Sequence, residues 1–170
     1  YLGIYVNAID GSQHLIIEEN LIKGTVSQAI YLYGGAGADS TIIANNIINV
    51  YAFPVWANEY PYGLRVLVSN ANIVFNTIVF SGSGGIGLGV YGDDCNVFDN
   101  IIISKTNPDF IIAYDQGNES QSVNLQSDYN VIYTLSGYLV RSDGIYYLTF
   151  GDYLNATSLD TNSVSKDIEF

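Results

Sequence analysis

The sequence predicts an all-β solenoid, a chain wound into stacked coils of short parallel strands, and three observations predict it. A six-residue phrase recurs four times, as Ile17-Glu18-Glu19-Asn20-Leu21-Ile22, Ile43-Ala44-Asn45-Asn46-Ile47-Ile48, Ile73-Val74-Phe75-Asn76-Thr77-Ile78 and Val97-Phe98-Asp99-Asn100-Ile101-Ile102. Its Asn residues stand 26, 30 and 24 positions apart (46−20, 76−46, 100−76), the period of stacked repeats rather than of one globular core. Composition agrees: in 170 residues, 48% apolar, 17 Gly stand against 3 Pro, which favours strands joined by tight turns over helices.

Each element follows from this period. Upstream of the four phrases lie Ile4-Tyr5-Val6, Ile30-Tyr31-Leu32, Leu64-Arg65-Val66 and Ile86-Gly87-Leu88, and each pair of upstream strand and phrase is expected to make one coil. A fifth, looser pair is Ile111-Ile112-Ala113 with Tyr129 to Tyr133. Corners are supplied by Asp10-Gly11-Ser12, Gly34-Gly35-Ala36-Gly37, Ser81 to Gly85 and Gly92-Asp93-Asp94. Strands this short, with no helical stretch between them, cannot build βαβ units; stacked at about 4.8 Å they build a solenoid. Residues 50–62, with Trp56 and two of the three prolines, lengthen the second coil as an inserted loop. Gln116 to Ser127 reads as a polar, mobile loop. Beyond Tyr133, Gly137 to Arg141 and Gly144 to Tyr147 read as a strand pair and Phe150 to Ala156 as a short helix. Residues 1–133 are thus the coils, and 134–170 a cap over an edge that would otherwise recruit other chains.

The h-x-x-N-x-I phrase with its upstream strand resembles the parallel β-helix repeat of the pectate-lyase-like superfamily over residues 1–133. The segment Phe150-Gly151-Asp152-Tyr153-Leu154 with Leu159 to Phe170 is similar to a tail found in secreted bacterial members, with Tyr153 where that tail has Trp and Ile168 where it has Pro. The resemblance implies a right-handed single-stranded parallel β-helix of about five coils with a C-terminal cap. It implies carbohydrate work more than any one activity, since lyases, hydrolases, epimerases, adhesins and structural proteins share the fold.

Charge limits the partners. Five Lys and Arg against 17 Asp and Glu give a net charge of −12, which excludes nucleic acid and anionic membrane as natural partners and repels polyanionic glycans. No apolar run reaches the roughly 20 residues of a membrane span. Cys95 stands alone, so an internal disulfide and a cysteine metal cluster are excluded. The first residues, Tyr1-Leu2-Gly3-Ile4, resemble neither a signal peptide nor a start, so the chain is expected to begin inside a longer protein. Acidity and repeat class point to an extracellular or cell-surface location; Asn118-Glu119-Ser120 and Asn155-Ala156-Thr157 are glycosylation-type sequons.

Candidate residues follow from the coil register. Asn20, Asn46, Asn76 and Asn100 are expected to form a structural ladder, each at the point where strand becomes turn, tolerating the left-handed conformation and bonding the coils above and below. With Ile4, Val6, Ile30, Leu32, Leu64, Val66, Ile86 and Leu88 inward, Tyr5, Tyr31, Arg65, Gly87 and Ile112 form one outward column. Asn7, Tyr33, Leu67, Gly89 and Tyr114 form a second. Stacked Tyr rings suit sugar faces, and the expected glycan-binding set is Tyr5, Tyr31, Tyr33, Trp56, Tyr91 and Tyr114, although Tyr is also an ordinary exposed strand residue. Lyases of the superfamily use an Arg or Lys base beside carboxylate-bound Ca²⁺, so the resemblance nominates Arg65, with Glu59 as the nearest carboxylate, if the chain is catalytic. Asp93-Asp94 are either turn residues, a Ca²⁺ site or an acid/base pair; no other cofactor is expected. His14 is an exposed turn residue, and phosphate-loop, zinc and nucleophile-elbow spacings are missing. Three functions remain open: glycan binding along the Tyr face, a structural, adhesin or filament role with self-association through the solenoid ends, and polysaccharide cleavage.

Overall fold

The computed structural model describes residues 2–8, 14–34, 40–52, 60–82, 84–105, 111–116 and 124–168. Five rungs of three strands follow one another. They are β1 (Leu2–Ala8), β2 (Leu15–Glu18) and β3 (Leu21–Val26); β4 (Gln28–Gly34), β5 (Thr41–Ala44) and β6 (Ile47–Ala52); β7 (Tyr62–Val66), β8 (Ala71–Val74) and β9 (Thr77–Gly82); β10 (Gly85–Val90), β11 (Asn96–Phe98) and β12 (Ile101–Ser104); and β13 (Ile111–Asp115), β14 (Gln126–Asp128) and β15 (Val131–Thr134). β16 (Tyr138–Ser142), β17 (Ile145–Tyr147) and α1 (Phe150–Ala156) complete the chain. The three sheets run β1-β4-β7-β10-β13-β16-β17, β2-β5-β8-β11-β14 and β3-β6-β9-β12-β15. Every pairing is parallel except β16 with β17. The chain is therefore a parallel β-solenoid. It winds about four turns, close to the about five coils expected.

The core is the column stack that the repeats impose: Ile30, Leu32, Leu64, Val66, Leu88 and Val90 from the first sheet, Ile43, Ile73 and Val97 from the second, Ile48, Ile78 and Ile102 from the third, all buried. Each such side chain contributes about 1.5–3 kcal/mol by leaving water. Ile86 differs from expectation. It packs with Tyr62, Tyr91 and Tyr138 in a small cluster apart from this core, because Gly87 turns inward beside Leu88. A Cβ on Gly87 would lie 2.6 Å from the carbonyl oxygen of Ala113 on the next rung, a space only glycine leaves open.

The phrase that sets the period is a corner between two strands rather than a strand and its turn, so each coil has three strands where two were expected. The residue before each ladder Asn carries the bend: Glu19, Asn45, Phe75, Asp99 and Tyr129 have φ of 55–58°. The left-handed residue is thus the Asn's neighbour, and the Asn side chain is freed to turn inward. Asn20, Asn46, Asn76 and Asn100 each donate from Nδ2 to Oδ1 of the Asn on the next rung, at 2.9, 2.9, 3.0 and 3.2 Å, and their backbone N–H groups reach the same oxygens. Nδ2 of Asn46, Asn76, Asn100 and Asn130 also donates to the rung behind, on the carbonyls of Ile17, Ile43, Ile73 and Val97. Asn130 is a fifth rung, disguised in the sequence because Ser127 stands where the other phrases have Ile or Val.

The ladder ends on the tail. The Asn130 N–H donates to Ser163 Oγ at 2.7 Å and its Nδ2 to Asp160 Oδ1 at 2.9 Å. Asp160, fully buried, also accepts from Ser163 Oγ, Tyr153 OH and Gln116 Nε2. Val164 bridges Val131 in parallel, so the tail follows the path of one more rung. The expected strand pair is β16 and β17, with β16 continuing the first sheet past β13. The expected helix is α1, capped by Thr149, which accepts from the Asp152 N–H and donates to its carboxylate. In the loop read as Gln116 to Ser127, Gln116 is buried and Gln126 and Ser127 belong to β14. Among the described residues no helix is long and apolar enough to cross a membrane.

Candidate functional site

Pairing in the first sheet fixes which side chains share its outer face. Tyr5 pairs with Tyr31, Tyr31 with Arg65, Arg65 with Gly89, Gly89 with Asp115, Asp115 with Arg141, and Arg141 with Tyr146. The expected column held for its first three members and then slipped, by two residues at Gly89, which replaces Gly87, and by three at Asp115, which replaces Ile112. The cause lies in β10, whose Leu88 rather than Ile86 pairs with Leu64. Tyr114, expected to face outward, pairs with Leu88 and Val140 in the buried column, with its hydroxyl on Ser127 at 3.2 Å. It cannot touch a ligand on this face, and burial pushes its phenol well up. In the second expected column only Asn7 and Tyr33 are paired; Leu67 has left the strand and Gly89 sits in the first column.

One end of the face is open and aromatic. Tyr5 and Tyr33 are 48% and 49% exposed, and Tyr31 stands between them, 5.4 Å from the Tyr5 ring and 6.3 Å from the Tyr33 ring. Arg65 lies next, its guanidinium carbon 4.9 Å from the Tyr31 ring centre and 4.8 Å from that of Tyr62. Two rings holding one cation are worth about 0.5–2 kcal/mol each, depending on desolvation.

The centre of the face is closed and polar. Gly89 leaves a gap in the column that the Tyr62 and Tyr91 rings fill, since a Cβ there would stand 2.7 and 2.8 Å from them. Tyr91 OH donates to Asp115 Oδ2 at 2.5 Å, and Tyr62 OH lies 2.9 Å from Tyr91 OH. With the Tyr91 proton spent on Asp115, Tyr62 is the donor in that second bond. Burial, then the Asp115 charge, drives the Tyr91 phenol far above its ordinary range; burial raises Tyr62 too. Arg141 grips Asp115 from the other side, Nε to Oδ1 at 2.8 Å and a terminal nitrogen to Oδ2 at 2.7 Å, a two-pronged pair of the strong kind. Asp115 is wholly buried under these partners. Its carboxylate, saturated by three donors, is a structural anchor rather than a base. Tyr138 and Tyr146, 4.8 Å apart, close the far end.

The sequence-predicted residues fall into three groups. Tyr5, Tyr31, Tyr33 and Arg65 come together on the open end; Tyr91 joins the closed centre. Trp56 and Glu59 lie outside the described residues, as do Asn118 to Ser120 and the corners at 10–12 and 35–37. Asp93 and Asp94 sit exposed on a corner after β10, Asp94 at φ 55° and accepting from Asn124 Nδ2 at 2.9 Å. Among the described residues, no group of three His, Cys, Asp or Glu could hold a metal ion. Asn155 of the second sequon is exposed on α1, and His14 is an exposed residue at φ 60°, hydrogen-bonded to Ser40 Oγ. The residues that sequence reasoning missed are Tyr62, Asp115 and Arg141. The signal was available for the last two, since Asp115 and Arg141 are 26 residues apart, the spacing of neighbouring coils. No family model, curated protein or solved structure matches this chain.

Proposed function

We propose that the outer face of the first sheet binds an oligosaccharide, and that the chain is a non-catalytic carbohydrate-binding module of a secreted or cell-surface protein. The observation that carries this is the open Tyr5, Tyr31, Tyr33 platform ending on Arg65. Phenol rings offer an apolar face for the C–H side of a pyranose and a hydroxyl edge for its O–H groups. Rungs about 4.8 Å apart repeat at close to the length of one sugar along an extended chain. The knitted centre keeps the platform rigid, which lowers the cost of ordering it on binding. Tyr31→Ala removes the middle ring and one of the two rings that hold Arg65. Calorimetric titration across an oligosaccharide panel should show about a tenfold or greater loss of affinity for this variant, and undiminished affinity would rule out the platform. The acidity of the chain supports the location.

A second reading rests on a different observation. The ladder has direction, each Oδ1 accepting from the rung before, and Asn20 Oδ1 accepts from no described residue. On the same first rung the inward Ile4, Val6 and Ile22 are only partly buried, whereas Ile30, Leu32 and Ile48 on the next rung are fully buried. A structural role, in which that rung stacks against another chain, fits this end. Sedimentation of the full-length protein distinguishes the two, since a structural subunit assembles at modest concentration and a monodisperse monomer does not fit. Polysaccharide cleavage, with Arg65 and Glu59 as its residues, is the third reading. The one outer-face carboxylate of the described residues, Asp115, is spoken for, which leaves Arg65 without a basic partner there.

A further inference from the structure

We propose that Arg65 is the recognition point for a single anionic substituent, a carboxylate or sulfate, on an otherwise neutral glycan. This rests on the oligosaccharide reading of the same face. The face carries two arginines in one column, and they are in opposite states. Arg141 has its charge matched by Asp115 through two bonds. Arg65 makes no ion pair or hydrogen bond with any described residue, and its Nε is buried with no acceptor.

A buried donor left unsatisfied is costly, and more so on a charged group. What offsets that cost in the free protein is the pair of Tyr rings that hold the guanidinium plane. The rings lie against the guanidinium but accept no hydrogen bond from its Nε. A planar guanidinium is shaped to take two oxygens of a carboxylate or sulfate at once. An anion on a sugar lying across Tyr31 would meet it there.

Net charge sets the limit on how many such anions the glycan carries. At −12 the chain repels a uniformly anionic polymer, and its other outer-face cation is already neutralised. One cation therefore selects one anionic group per bound segment. A neutral chain with sparse acidic or sulfated branches fits, and a polyuronate does not.

Arg65 and Arg141 are the only arginines in the sequence, so each side-chain Nε–H gives a separate nitrogen–proton NMR signal, assigned by Arg65→Gln. The probes are a neutral xylo-oligosaccharide, the same backbone with one glucuronate branch, the same with one sulfate, and an oligogalacturonate. The expected result is that one or both singly charged probes bind about tenfold tighter than the neutral chain and move the Arg65 signal but not that of Arg141. Carboxylate against sulfate identifies the source of the anion. Oligogalacturonate should bind more weakly than the better single-charge probe, and Arg65→Gln should erase the preference while keeping neutral binding. Equal affinity of neutral and charged chains, with the Arg65 signal still, overturns the anion inference and leaves the glycan platform standing. Tightest binding by oligogalacturonate overturns the limit of one charge. No binding by any probe overturns both readings.

Discussion

Replacing Asn100 by alanine tests the ladder at a buried rung. Asn100 is 1% exposed. Its Nδ2 donates to the carbonyls of Ile73 at 2.8 Å and Phe98 at 2.9 Å and to Asn130 Oδ1, and its Oδ1 accepts from both the N–H and the Nδ2 of Asn76. Alanine leaves the Asn76 N–H without an acceptor and strips one partner each from the Asn76 amide and the Ile73 carbonyl. At about 1–3 kcal/mol for a buried group that loses its partner, with partial compensation, the loss comes to about 3–5 kcal/mol. The same change at Asn20, the partly exposed first rung, removes bonds to Asn46 Oδ1 and the Glu18 carbonyl. Asn46 Oδ1 keeps the Asn20 N–H, so the loss is about 1 kcal/mol. Urea unfolding reads the difference: with a slope of about 2 kcal/mol/M, Asn100→Ala should lower the midpoint by about 2 M and Asn20→Ala by about a quarter of that. Asn100→Asp keeps the shape and the acceptor but not the donors, and should be at least as damaging as alanine. Equal midpoint shifts at positions 20 and 100 would refute the ladder as a source of stability. Ligand binding on the first-sheet face should not change in any of the three.

Alkaline pH should weaken the fold. Burial, chiefly, pushes the Cys95 thiol up to about 11 and raises the phenols of Tyr62, Tyr91, Tyr114 and Tyr153. Above the ordinary values of 9.0 and 10.0 the unfolded chain sheds these protons and the folded one keeps them. Stability present below pH 9 therefore falls as pH rises through about 11, by about 2–3 kcal/mol for Cys95 alone. Urea midpoints that stay level from pH 7 to pH 11 would contradict this. Asp160→Ala removes the acceptor that Tyr153, Ser163, Gln116 and Asn130 share. It should cost about 3–5 kcal/mol and speed amide exchange first in β14, β15 and the tail, whereas loss spread evenly over the rungs would show that the tail does not lock the ladder's end.

What the sequence by itself determined was the repeat and everything the repeat enforces. Inward Ile30, Leu32, Leu64, Val66 and Leu88 and the stacked Asn positions follow from one rule applied at every coil, and redundancy of that kind survives local irregularity. Short-range signals were legible too: the hairpin of β16 and β17 and the helix Phe150–Ala156 depend on nearby turn and cap chemistry. Only the tertiary structure decided the register beyond Arg65. Whether Gly87 or Gly89 faced outward turned on how β10 seats against β7, a choice made by carbonyl contacts and by two Tyr rings that need the room above Gly89. That slip, two residues in β10 and three in β13, buried Tyr114, brought Asp115 and Arg141 together and left Arg65 as the unmatched arginine. Pattern fixes which residues belong to a coil, whereas packing between coils decides which of them meet, and the candidate site is made of those meetings.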